Sequence, residues 1–195
     1  MVKLDNLFSD FIYTEELKNI DNESIVSFLE NLKETEGGVT YSNRGGYQTD
    51  NITPDKASPE LHTLANVVYT ISNEVAKAAG FSPVEIAGLW GNINYKNCWN
   101  SPHFHPHCVL AAVYYPKAQP DQGDISFKRD HVSAHYLLNG VATQTEYNRS
   151  TVCHSPMTGK LIIFPAWIEH QVGMNQTDTS RVSLAFNIVL AGMQQ

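Results

Sequence analysis

The chain has 195 residues, with 13 Lys+Arg against 20 Asp+Glu, a formal net charge of −7, and 42 % hydrophobic but only 17 % charged residues. This is the length of one domain with enough apolar side chains for a core, so intrinsic disorder is excluded. The acidic balance argues against non-specific nucleic-acid binding, which needs clustered Lys and Arg, and no run of about 18 apolar residues offers a membrane span.

In chain order, the first element expected is a helix over residues 14–36. Ile20, Ile25, Phe28, Leu29 and Leu32 recur at three- and four-residue spacings. Asp21-Asn22-Glu23-Ser24 either breaks that helix or caps a second turn of it, and Glu36-Gly37-Gly38 ends it. Residues 37–58, with Gly45-Gly46 and Pro54, read as irregular and as a segment for the mouth of a site. A second helix starts at Ser58-Pro59-Glu60, a cap followed by proline at the first helical position. Its stripe is Leu61, Leu64, Val67, Val68, Ile71 and Val75, and Gly80 closes it.

Beyond Pro83 the pattern turns to short β-rich runs near 84–95, 108–115, 123–128, 132–138, 141–147, 160–164, 168–173 and 181–190. Asn139-Gly140 is a tight-hairpin signal. Eight short strands with evenly placed turns predict a barrel or a two-sheet jelly roll, with the helices on one outer sheet face. The expected architecture is mainly β with N-terminal helices, in one domain. Residues 1–82 form its helical part and residues 83–195 its jelly-roll core. The first residues, MVKLDNLFSDF, lack the apolar stretch of a signal peptide, and Cys98, Cys108 and Cys153 are odd in number. Together these predict reduced thiols and a cytoplasmic protein.

His103, His105 and His107 fall at alternate positions. In an extended segment they share a face, with successive Cα atoms roughly 6.5–7 Å apart, so two imidazoles can converge on one metal. His170, in an apolar strand-like run, is the best third ligand. The plain alternative is a polar loop that holds no metal. His62, His131, His135 and His154 have no such company, and Trp99 reads as a core aromatic.

After His170 comes a strand whose alternation puts Arg181, Ser183, Ala185 and Asn187 on one face and Val182, Leu184, Phe186 and Ile188 on the other. An Arg and a Ser inside a barrel suit a carboxylate, held bidentately by the guanidinium and once by the hydroxyl. An internal ion pair or an exposed edge position would explain the same arginine.

These pieces resemble the iron(II)- and 2-oxoglutarate-dependent oxygenase superfamily, most closely a branch common in bacteria and marine phages. The matching segments are Ser42-Asn43-Arg44-Gly45-Gly46-Tyr47-Gln48, Trp90-Gly91-Asn92-Ile93-Asn94, Asn100-x-x-His103-x-His105-Pro106, Ala112-Val113-Tyr114-Tyr115, Phe164-Pro165-x-Trp167-x-x-His170-x-Val172 and Arg181-Val182-Ser183-Leu184-Ala185-Phe186-Asn187. The resemblance implies a double-stranded β-helix, Fe(II) on His103, His105 and His170, and 2-oxoglutarate as co-substrate. It further implies that Arg181 and Ser183 grip the far carboxylate of 2-oxoglutarate, with Tyr114, Tyr115 and Asn94 as further contacts. The implied reaction hydroxylates a substrate with release of succinate and CO2.

The superfamily's usual triad has a carboxylate where His105 stands. Three neutral imidazoles leave the metal one charge more positive. A His105/His107 pair, or a carboxylate from Asp124, stays open as the remaining ligand. Two other readings of the chain also stand: a cupin-like three-His enzyme that does not use 2-oxoglutarate, and a jelly-roll binding module without catalysis. The substrate, a small molecule or a protein, and the oligomeric state are not legible here.

Overall fold

The computed structural model describes residues 3–129 and 141–192. Helix α1 (Asn22–Thr35) starts where the Asp21 carboxylate accepts the Ser24 backbone N–H at 3.0 Å, satisfying one of the free donors of a helix N-terminus. Asp21 is thus a cap, and the helix is shorter than the expected 14–36. The residues ahead of it form strand β1 (Tyr13–Glu16) at a sheet edge. There, free backbone groups of a neighbouring strand win over local helix preference. Helix α2 (Pro59–Ala78) begins at Ser58, whose hydroxyl accepts the Leu61 N–H at 3.2 Å.

The other strands are β2 (Asn43–Arg44), β3 (Tyr47–Gln48), β4 (Val84–Asn94), β5 (Trp99–His103), β6 (Leu110–Lys117), β7 (Ile125–Lys128), β8 (Thr151–His154), β9 (Lys160–Pro165), β10 (His170–Val172) and β11 (Arg181–Leu190). They form a larger sheet of order β1-β9-β6-β11-β4-β3 and a smaller one of order β2-β5-β10-β7-β8, antiparallel throughout.

Two cores follow from strand alternation. Outside the larger sheet, Val182, Leu184, Phe186 and Ile188 pack with Ile25 and Leu29 of α1 and Leu61, Leu64 and Val68 of α2. Helix α1 lies so close to β4 that a Cβ on Gly91 would fall 2.4 Å from Leu29 Cδ2. The second core includes Ala111, Val113 and Tyr115 of β6, Ile125 and Phe127 of β7, and Ile162 and Phe164 of β9, so it joins the two sheets.

The expected strands at 84–95, 108–115, 123–128, 160–164, 168–173 and 181–190 are present with small shifts at their ends. Residues 141–147 are not a strand. They form turns tied by Thr145 and Asn148, and β8 pairs with β7 further along the chain. The strand at 132–138, the Asn139-Gly140 hairpin, His131 and His135 lie outside the described residues. Strand β5 carries no sequence signal. Pro102 lacks an N–H, and Asn100 and Ser101 favour turns. It is held by a bulged pairing that sets Asn100 opposite Val172 and His103 opposite His170. All three cysteines are free. Among the described residues, no helix is long and apolar enough to cross a membrane.

Candidate active site

The β5–β10 pairing sets His103 opposite His170, with ring centroids 4.3 Å apart and the rings tilted by 52°. His105 lies just past the end of β5, its N–H bonded to Ala166 O at 2.9 Å. One ring nitrogen from each of the three histidines falls within 4.8 Å of the others. Each Nδ1 meets an oxygen: His103 that of Ser101 O at 2.7 Å, His170 that of Ile168 O at 2.9 Å, and His105 that of Asn187 Oδ1 at 2.7 Å. A carbonyl oxygen only accepts, so His103 and His170 carry their proton on Nδ1 and present a bare Nε2.

Burial holds all three imidazoles below their ordinary titration range, and the charge of His103 adds to the effect on the other two. His105 is pushed down to about 4 and His170 to about 3. They are therefore neutral at pH 7, the form that binds metal. His105 Nε2 and His170 Nε2 stand 3.3 Å apart. Adjacent ligands on one ion, at bonds of roughly 2.0–2.1 Å, would stand about 3 Å apart. The cluster fits a single cation. His107 is exposed, with a left-handed φ of 64°, and neither it nor Asp124 belongs to the cluster.

On the inward face of β11, Arg181 is 1 % exposed. Its Nη1 donates to the backbone carbonyls of Gln122, Gly123 and Gly173. Gly123 has φ 92°, and a Cβ there would meet Gly173 O at 2.2 Å and Arg181 Nη1 at 3.0 Å. Only glycine leaves room for this cradle. Arg181 Nη2 is buried with no partner, and no ion pair reaches Arg181 among the described residues. The Tyr115 hydroxyl is also buried and unpartnered. Burial, opposed by the nearby Arg181 charge, pushes it up to about 12, so it is a neutral donor. A buried guanidinium charge without a counter-ion and a phenol without an acceptor are costly unless an anion meets them. Ser183 is buried two residues along the same face.

Two expected contacts move. Tyr114 points to the opposite side of β6, into the core beneath the helices, and donates to Asn22 Oδ1 at 2.7 Å. Adjacent strand residues face opposite ways, so only Tyr115 looks inward. Asn94 sits opposite Arg181 in the β4–β11 pairing. However, its Nδ2 is bonded to Asn43 Oδ1 at 3.1 Å, and its Oδ1 is a buried acceptor without a partner. An acceptor offers a carboxylate nothing, which leaves only the second Nδ2 proton of Asn94 for such a contact.

A cavity of about 710 Å³ opens over His103 and His105. Tyr41, Ser42, Arg44 and residues 48–51 line one side of it, and Trp90, Phe104 and Asn187 also line it. The irregular segment after α1 thus forms part of the mouth, although Gly45, Gly46 and Tyr47 do not line it. Sequence reasoning put Asn187 on the right face but missed its bond to His105. Its place six residues beyond Arg181 was the available signal.

A family model described as "Putative 2OG-Fe(II) oxygenase" matches residues 88–187, just over half of the chain and the stretch that contains the three histidines and Arg181. The chain belongs to the 2OG-Fe(II) oxygenase family. This oxygenase shares its double-stranded β-helix with solved structures at low identity. One is the non-heme α-ketoglutarate-dependent epimerase SnoN from nogalamycin biosynthesis, at 18 % identity over 93 % of this chain and 77 % of that one, with a TM-score of 0.69. Another is HygX from Streptomyces hygroscopicus, solved with nickel and 2-oxoglutarate, at 13 % identity over 95 % and 84 %, with a TM-score of 0.64. A third is a Pseudomonas putida prolyl-4-hydroxylase, at 13 % identity over 93 % of each chain, with a TM-score of 0.67. No curated protein matches the sequence. As a member of its family, the protein is an oxygenase dependent on Fe(II) and 2-oxoglutarate.

Proposed function

We propose that His103, His105 and His170 hold Fe(II), and that Arg181, Ser183 and Tyr115 hold the far carboxylate of 2-oxoglutarate. The oxygenase then hydroxylates a substrate seated in the cavity. The observation that carries this reading is the buried, unpaired Arg181 with its orphaned Nη2, next to a Tyr115 hydroxyl that likewise lacks an acceptor. When bound, Fe(II) and 2-oxoglutarate supply oxygen activation: one atom of O2 enters succinate as CO2 leaves, and the other enters a substrate C–H bond as hydroxyl.

The chain's own residues bind, orient and exclude. Three neutral imidazoles, each fixed through Nδ1, bring no negative charge to the metal, so its full positive charge faces the anionic keto acid. The Arg181 charge, fixed by backbone carbonyls and shielded from water, selects a dicarboxylate of matching length and needs no reorganisation. Tyr115 keeps its proton and donates it as a hydrogen bond. The cupin-like alternative gives this arginine nothing to hold.

The test is turnover of 2-oxoglutarate without primary substrate. Supplied with Fe(II) and air, the wild type should form succinate slowly, while His170→Ala and Arg181→Ala should not. Wild-type succinate formation no faster than a protein-free control would contradict the reading.

A further inference from the structure

We infer that Asn187 is the positioning residue for His105, so that one strand, β11, sets both the metal site and the co-substrate site. The inference rests on the ligand set proposed above. His103 and His170 take their Nδ1 acceptors from carbonyls two residues earlier, Ser101 O and Ile168 O. Those acceptors belong to the same local segments as the histidines they hold. His105 has no such local partner. It is followed by Pro106 and by His107 in a left-handed conformation, and its Nδ1 meets Asn187 Oδ1 at 2.7 Å, 82 positions along the chain. Trp90 and Phe164 flank the ring, with centroids at 6.0 and 6.4 Å, but neither offers its Nδ1 an acceptor.

Asn187 shares the inward face of β11 with Arg181 and Ser183. Accepting from Nδ1–H leaves the His105 Nε2 lone pair for the metal and fixes the ring's rotation. A carboxamide does this without adding charge, which preserves the neutral ligand set. Outer partners of this kind are typically worth about 10–100-fold in metal affinity.

The experiment measures anaerobic Fe(II) and Co(II) affinity by calorimetry, together with proton spectra of the Co(II)-loaded protein, where metal-bound imidazoles show exchangeable N–H signals. Wild type should show three such signals. Asn187→Ala, and Asn187→Leu as a bulkier replacement, should bind about 10–100-fold more weakly and lose one signal while keeping the other two. Asn187→Asp retains an acceptor and should keep all three signals with affinity at or above wild type. Thermal unfolding of the metal-free variants checks that they fold. Unchanged affinity with three signals in Asn187→Ala would overturn this inference alone. A wild type that binds no Fe(II) would overturn the ligand set and this inference with it.

Discussion

The two faces of β11 are built on opposite principles. Outward, Val182, Leu184, Phe186 and Ile188 are all fully buried and join the apolar core under the helices. Inward, Arg181 and Ser183 are buried, while Asn187 reaches a histidine and lines a cavity. The outer face stabilises the fold by removing apolar surface from water. The inner face keeps buried polar groups, with the Nη2 of Arg181 left unpartnered, and burial of that kind works against stability. A single strand therefore separates stability from chemistry by residue parity.

The largest effect expected on either face is on stability. Phe186→Ala should cost about 3–5 kcal/mol in urea unfolding and leave the Fe(II) affinity of the folded fraction near wild type. A large change in that affinity would break the separation of the faces. Arg181→Ala should cost about 2–5 kcal/mol of 2-oxoglutarate binding while Fe(II) binding persists, as calorimetry in the two orders of addition would show. Equal loss of both ligands would contradict the role given to Arg181.

Acid sharpens the comparison further. His105 and His170 ordinarily titrate near 6.5, and burial pushes them down to about 4 and about 3. Between pH 6.5 and about 3 the unfolded chain therefore binds protons that the folded chain refuses. The metal-free protein should lose stability as pH falls through that window. Urea midpoints at stepped pH should fall less steeply in a His105→Gln/His170→Gln variant, and parallel slopes would refute the linkage.

The smallest effects belong to the neighbouring tyrosines of β6. Tyr114→Phe should cost about 1 kcal/mol of stability through the lost bond to Asn22, with 2-oxoglutarate affinity unchanged. Tyr115→Phe should weaken 2-oxoglutarate binding by about 1 kcal/mol. A reversed pair of results would show that the faces of β6 are misassigned.

Much of this contrast was legible in the residues. Ser58-Pro59 marks a helix start because capping is local. The alternation of residues 181–188 separates the two faces because strand geometry has a period of two. The histidines stood out by spacing. Strand β5 was hidden, because a segment with Pro102 becomes a strand only through its partner β10. The start of α1 was blurred because β1 is recruited by a distant sheet edge. Tyr114 and Tyr115 could not be told apart without the strand's phase. The carbonyls of Gln122, Gly123 and Gly173 around Arg181 carry no side-chain signal at all.

We propose that three histidines and Arg181 build one site for Fe(II) and 2-oxoglutarate. Anaerobic titration of the Fe(II)-loaded protein with 2-oxoglutarate, followed by the visible charge-transfer band of the chelate, tests it most directly. The wild type should give a saturable band, Arg181→Ala a much weaker one at the same co-substrate concentration, and His170→Ala none. Fe(II) bound by the wild type with no band at any concentration would contradict it.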